Sequence, residues 1–167
     1  DAATRALFAA QFVNRALGTD GAISSDQMDL TVEKVQTGTL TSAQLLALMA
    51  TPIQVIAAQG AGTVILVDDA VFFYDFGGIA YTITAAGDDL ALRYTGGAGA
   101  IVSLTLDTAG ILDQGADIVK RLGPTASDLV MAVNAPIMAD NVGLNEWTLG
   151  NGVVRYMIHY TVHSTGF

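Results

Sequence analysis

"VVRYMIHYTVH", residues 153–163, is the run from which the rest of the chain is read. Val154, Tyr156, Ile158, Tyr160 and Val162 alternate with Arg155, Met157, His159, Thr161 and His163. A period of two sends successive side chains to opposite faces, so this run is an antiparallel strand with one face buried. Its length makes it central in its sheet, or simply the longest strand.

Upstream, short β-rich runs repeat the theme. "TVEKVQ" (31–36), "IQVIA" (53–57), "TVILV" (63–67), "AVFFYDF" (70–76), "DLALRY" (89–94) and "IVSLTL" (101–106) read as strands, as do "LVMAV" (129–133) and "APIMA" (135–139). Glycines at 60, 62, 77, 78, 87, 96, 97 and 99 punctuate them. "GILDQGADIVKRL" (110–122) fits a loop with a turn of helix, or a strand, equally well. "TSAQLLAL" (41–48) is a helical turn with Thr41 as N-cap and Gln44 at capping-box spacing, and Pro52 prevents its continuation. Many short strands with few helices between them predict an all-β fold, an antiparallel β-sandwich of jelly-roll type, rather than a parallel α/β sheet.

The amino terminus has a different texture. "AATRALFAAQFVNRAL" (2–17) is rich in helix formers, and Gly18 supplies a stop. Leu7, Phe8, Phe12, Val13 and Leu17 give this helix a wide apolar surface. Two readings stand: a helix packed on its own domain, or an arm that lays these five residues on a partner. "GTDGAISSDQMDL" (18–30) is a polar connector. The expected organisation is therefore a helical arm and connector over 1–30 and a β-sandwich domain over 31–167.

Bulk composition narrows the function. Lys and Arg total 7 against 16 Asp and Glu, a formal net charge of −9, which repels nucleic acid and anionic lipid. No direct nucleic-acid or membrane partner is expected, no apolar run is long enough to span a bilayer, and the first residues do not read as a signal peptide. Cysteine is absent, which excludes disulfides and Cys-ligated zinc. With 51% hydrophobic and 14% charged residues, part of the apolar surface is expected to meet another subunit or partner.

The sites that chemistry would need do not assemble. Gly60-Ala61-Gly62 lacks the third glycine of a dinucleotide fingerprint, since that position is Ile65, and no lysine completes a phosphate-binding loop. It reads as a hairpin corner, as does "YTGGAGA" (94–100). His159 and His163, four apart on a strand, have Cα atoms roughly 13 Å apart and cannot share one metal ion. No Gly-x-Ser-x-Gly elbow occurs. Asp68-Asp69 and Asp88-Asp89 are placed at strand ends, where paired aspartates cap turns, with a loop calcium site as the other reading. Trp147 reads as core or interface. The chain is expected not to be an enzyme and to need no cofactor.

From "LTSAQLLALMATPIQVIAAQGAGTVILVDDAVFFYDFGGIAY" through "DLALRYTGGAGAIVSLTLDTAGILDQGADIVKRL" to "GVVRYMIHYTV", the order of segments resembles that of tailed-bacteriophage capsid decoration (cement) proteins. The resemblance covers about residues 39–163 and leaves 1–30 outside it. It implies a β-sandwich, often trimeric, that sits on the outer surface of the virion, clamps major capsid proteins and reinforces the shell. The competing reading is a virion surface or receptor-binding, lectin-like β-sandwich module. That module would use Tyr74, Asp75, Tyr81 and Asp88 at one loop end.

Overall fold

The computed structural model describes residues 33–97, 99–125 and 128–166. The helix expected over 2–17, with Leu7, Phe8, Phe12, Val13 and Leu17, and the connector 18–30 lie outside these residues. In chain order the elements are β1 (Lys34–Leu40), α1 (Ser42–Leu45), β2 (Ile53–Ile56), β3 (Thr63–Asp75), β4 (Tyr81–Thr82) and β5 (Leu90–Tyr94). β6 (Ile118–Leu122), β7 (Ile137–Asn141), β8 (Thr148–Leu149) and β9 (Val153–Ser164) complete them.

β9 organises the fold. It pairs along most of its length with β3 and, on its other side, with all of β1, so it is both long and internal to its sheet. That sheet runs β1-β9-β3-β6, a second runs β2-β7-β5, and β4-β8 is a two-stranded ribbon. Every pairing is antiparallel. Val154, Tyr156, Ile158 and Tyr160 point inward and are buried, with Val162 partly buried beside them, as the alternation requires. They join Phe72 and Tyr74 of β3, Leu92 and Tyr94 of β5 and Ile137 of β7 in one apolar cluster. Each such large side chain, withdrawn from water, stabilises by about 1.5–3 kcal/mol before ordering costs. The two sheets are also tied by polar contacts. The Tyr94 hydroxyl of β5 donates to the Ile65 carbonyl of β3, and the Leu104 N–H donates to the Gly123 carbonyl just beyond β6.

The short helix forms as its caps dictate. Thr41 Oγ1 accepts from the Gln44 N–H, and Gln44 Oε1 accepts from the Thr41 N–H at 2.8 Å, a complete capping box. Beyond it, Glu146 accepts from the Met49 and Ala50 N–H groups, so a distant carboxylate closes the turns ahead of β2.

Several boundaries differ from expectation for identifiable reasons. The first strand begins at Lys34 and runs through Gly38 to Leu40 instead of ending at Gln36. Gly38 is inside the strand because the Tyr156 ring crosses it; a Cβ there would lie 2.3 Å from the Tyr156 hydroxyl. "TVILV" and "AVFFYDF" are one 13-residue strand, β3, with a register shift between Val67 and Asp69. Asp68-Asp69 therefore sits in a mid-strand bulge, not at a strand end. The bulge restores parity, so Ile65 and Val67 before it and Ala70 and Phe72 after it all face the core.

Gly60-Ala61-Gly62 is a turn, with φ of 112° at Gly60 and 72° at Gly62, but it is not a hairpin corner. It carries the chain from β2 in one sheet to β3 in the other. "YTGGAGA" does turn the chain back on itself: the Tyr94 N–H donates to the Ala100 carbonyl and Arg93 bridges Ile101. The run 101–106 then follows β5 only through isolated bridges. Its ladder breaks at Ser103, whose hydroxyl, in place of a carbonyl, accepts from the Leu92 N–H. "LVMAV" forms no strand, and the strand after it starts at Ile137, past Pro136, which has no N–H for a ladder. The ambiguous stretch 110–122 contributes strand β6.

Candidate functional site

The residues that a lectin-like module would display do not form a surface. Tyr74 and Tyr81 are buried at 1% and 2% exposure, their ring centroids 6.2 Å apart. The Tyr81 hydroxyl donates to the Gly152 carbonyl, and burial pushes both phenols up from their ordinary pKa. Asp75 is half-buried and holds Arg155 through two hydrogen bonds of 2.6 and 2.8 Å, with the guanidinium 5.5 Å above the Phe73 ring. Those bonds hold the Asp75 carboxyl below its usual range.

Asp88 is a structural node. Its carboxylate accepts from the Ala85, Leu144 and Asn145 N–H groups, and its carbonyl accepts from the Thr108 hydroxyl and from Trp147 Nε1. Burial pushes this carboxyl up, but the hydrogen bonds to Leu144, Ala85 and Asn145 outweigh it and leave the pKa lowered. Trp147 is core, at 1% exposure. The aspartate pair thus caps turns, as its composition suggests, and does so from inside.

A shallow cleft of about 510 Å³ opens beside β4, lined among others by Thr82, Thr84, Asp89, Asp107 and Asp113. Burial raises the Asp89 carboxyl, and the neighbouring Asp107 and Asp88 charges add to the shift. Among the described residues no group of three or more His, Asp or Glu side chains is arranged to hold a metal ion. His159 and His163 both lie on the outer face of β9, one against Glu33 and the other against Thr161.

What the fold does present is apolar side chains on loops. The segment 128–134 exposes Val130 at 86%, Val133 at 54% and Met131 at 48%. It is nevertheless anchored. Leu129 and Ala132 pack against the core between the exposed residues, and Ala135 is buried. Asn134, at φ 52°, donates its N–H to the Thr63 carbonyl at 2.7 Å and accepts the Gly60 N–H on its side chain at 3.1 Å. The glycine corner and the apolar loop therefore brace one another. The result is an anchored tip carrying three large apolar groups, with the exposed Asp128 at its start. Composition predicts a strand over 129–133, where the structure has this exposed loop; the signal for a loop is Asn134 and Pro136 directly after the run.

Near the β4–β8 ribbon, Ile79 and Leu149 are also exposed, Leu149 with a φ of 57° that a branched side chain rarely adopts. Leu144 is exposed at 89% on the turn that Asp88 holds. Among the described residues no helix is long and apolar enough to cross a membrane. No family model, curated protein or solved structure matches the chain.

Proposed function

We propose that the chain is a capsid decoration (cement) protein, which binds the outside of a phage head and stabilises the shell by bridging major capsid proteins. The observation that carries this reading is the anchored apolar tip at 128–134. Three apolar side chains held in water by an anchored loop cost free energy in the isolated protein and recover it when a partner covers them. The resemblance over about residues 39–163 supplies the kind of partner. The net charge of −9 suits a surface that faces away from packaged nucleic acid. In this proposal the β1-β9-β3-β6 and β2-β7-β5 sheets are the two layers of a jelly-roll-like sandwich, the working unit is a homotrimer, and the site of action is the virion surface. The receptor-binding alternative receives no support from Tyr74 and Tyr81, which are core residues.

Co-sedimentation with emptied phage heads tests the reading. Wild-type protein is expected to pellet saturably with heads. A Val130→Asp/Val133→Asp variant places two charges on the tip and is expected to bind at least about tenfold more weakly, since each buried valine contributes roughly 1.5 kcal/mol or more. Its melting temperature should match that of the wild type, because both side chains are already in water. Equal binding by the variant, or no binding by the wild type, counts against the proposal.

A further inference from the structure

The outer face of the four-stranded sheet breaks the alternation that its inner face keeps. An antiparallel sheet with one face in water sends apolar side chains inward and polar ones outward. β3 is instead apolar on both sides: Phe72 and Tyr74 are buried in the core, while Val71 and Phe73 point the other way. Strands covered on both faces carry such near-continuous apolar runs. The ladders place the neighbours. Phe73 stands opposite Val119 of β6 and Arg155 of β9, and Val71 opposite Arg121 of β6 and Met157 of β9. Directly paired residues share a face, so Val71, Phe73, Val119 and Met157 form one apolar patch. Val119 is 60% exposed and the other three are half-buried.

Two ion pairs frame the patch. Arg155 holds Asp75 and lies over the Phe73 ring, and Arg121 reaches Asp69 at 2.6 Å. Beyond them, the exposed Asp117 and Lys120 carry one charge of each sign. Lys and Arg total only 7 in this chain, yet two of them stand on this face, each against a carboxylate of β3. A net charge of −9 makes copies of the chain repel one another, and this pairing removes the repulsion locally. An apolar centre inside a rim of wet, polar groups is the anatomy of a protein interface.

We infer that this patch is a self-association surface, through which the chain meets a second copy of itself. For the number of copies, three, the inference rests on the homotrimer of the proposed function. A second copy is the occupant the charges favour. Nucleic acid or an anionic membrane would need unpaired cations here, and Arg121 and Arg155 are both committed. A basic partner would be drawn to the acidic remainder of the surface, whereas a neutral patch is what contact between like-charged chains requires. The patch is also separate from the apolar tip. Asn134 holds the tip to Thr63, which precedes Val71 on β3 by eight residues, roughly 27 Å at the rise of a strand. One copy can thus hold its neighbour through the sheet and a shell protein through the tip.

Sedimentation velocity of the purified full chain, from about 1 to about 100 µM, tests the surface. Wild type is expected to sediment as an oligomer at the upper end of that range. Val119→Glu changes an exposed residue of an edge strand, so the free, dilute variant should melt as wild type does, and its association is expected to weaken at least about tenfold. The tip variant Val130→Asp/Val133→Asp should associate like wild type. Because the chain has no cysteine, single thiols give a second readout. Labelling of Val119→Cys should slow as the oligomer forms, and labelling of Val130→Cys should not. A dimer that Val119→Glu dissociates supports the surface and contradicts the homotrimer alone, just as failure to bind heads would contradict the decoration role alone. The inference is overturned by a wild type that stays monomeric throughout, or by an oligomer that Val119→Glu leaves intact.

Discussion

Asp88 shows how much of this fold depends on single polar groups. It lies one residue from Asp89 in a pair that reads from sequence as an ordinary turn cap, yet it is 1% exposed and joins the 85–88 turn to 143–145. Its carboxyl titrates below the usual value, so the unfolded chain takes up this proton first as pH falls. The stability that Asp88 contributes is thus complete above the ordinary aspartate pKa of about 4 and is lost as pH drops through the lower folded value. Asp88→Asn should lower stability by roughly 2–4 kcal/mol at neutral pH, because an amide cannot accept all of these bonds. The gap between wild type and variant, measured by denaturant titration, should narrow below about pH 4. A gap that stays constant from pH 7 to pH 2 would contradict this role. Asp140, which burial raises, has the opposite sign, so the difference between the two proteins is the quantity to read. Asp88 was legible as a cap; its depth was not, because its partners at 144 and 145 are distant in sequence.

At the scale of elements, periodicity located what alternates and missed what bends. β9 stands where the alternation of 153–163 puts it, and α1 where Thr41 and Gln44 put it. β3 was divided in two because Asp68-Asp69 interrupts an apolar pattern, and only the pairing with β9 shows that the interruption is a bulge. The first strand reads from sequence as ending at Gln36, yet β1 runs on through Gly38, whose role as a slot for the Tyr156 ring is a property of the neighbouring strand. The 101–106 run alternates well enough for a strand, but the Ser103 hydroxyl takes the place of a backbone acceptor. The bulge has a direct test. Deleting Asp68 removes the extra residue and leaves Val67 opposite Tyr160 and Asp69 opposite His159, so Ile65, Val67, Ala70 and Phe72 keep the core face in an unbulged ladder. Deleting Leu66 instead moves Ile65 to the outward position, since a shift of one residue exchanges faces. The Asp68 deletion is expected to keep cooperative unfolding, while the Leu66 deletion is expected to cost several kcal/mol or to abolish it, by the loss of buried side chains. Asp68→Asn keeps the residue count and should stay within about 1 kcal/mol of wild type. A Leu66 deletion as stable as wild type, or an Asp68 deletion that abolishes cooperative unfolding, would contradict the assignment of Asp68 as the extra residue.

For the molecule as a whole, the sequence carried the all-β class and the antiparallel arrangement, while the exposed tip emerged only from tertiary structure. Val130, Met131 and Val133 look like strand residues until Thr63 and Gly60 are seen to hold Asn134 in a turn. The amino-terminal residues Leu7, Phe8, Phe12, Val13 and Leu17 offer a second apolar surface by composition. In the proposed function they fasten the domain to a neighbouring subunit or to the shell. Deleting residues 1–30 should then leave the melting of the free protein unchanged and weaken its binding to heads. Lowered melting with normal binding would instead assign the helix to its own domain.

The most direct measurement is the chain's position in an intact particle. In a cryo-electron-microscopy reconstruction of the phage head that carries it, the β domain is expected on the outer surface, with the 128–134 tip against the major capsid protein and each copy touching more than one capsid subunit. Density for the domain at a tail tip or receptor-binding fibre, or a head whose outer surface holds none of it, would contradict a shell-reinforcing role.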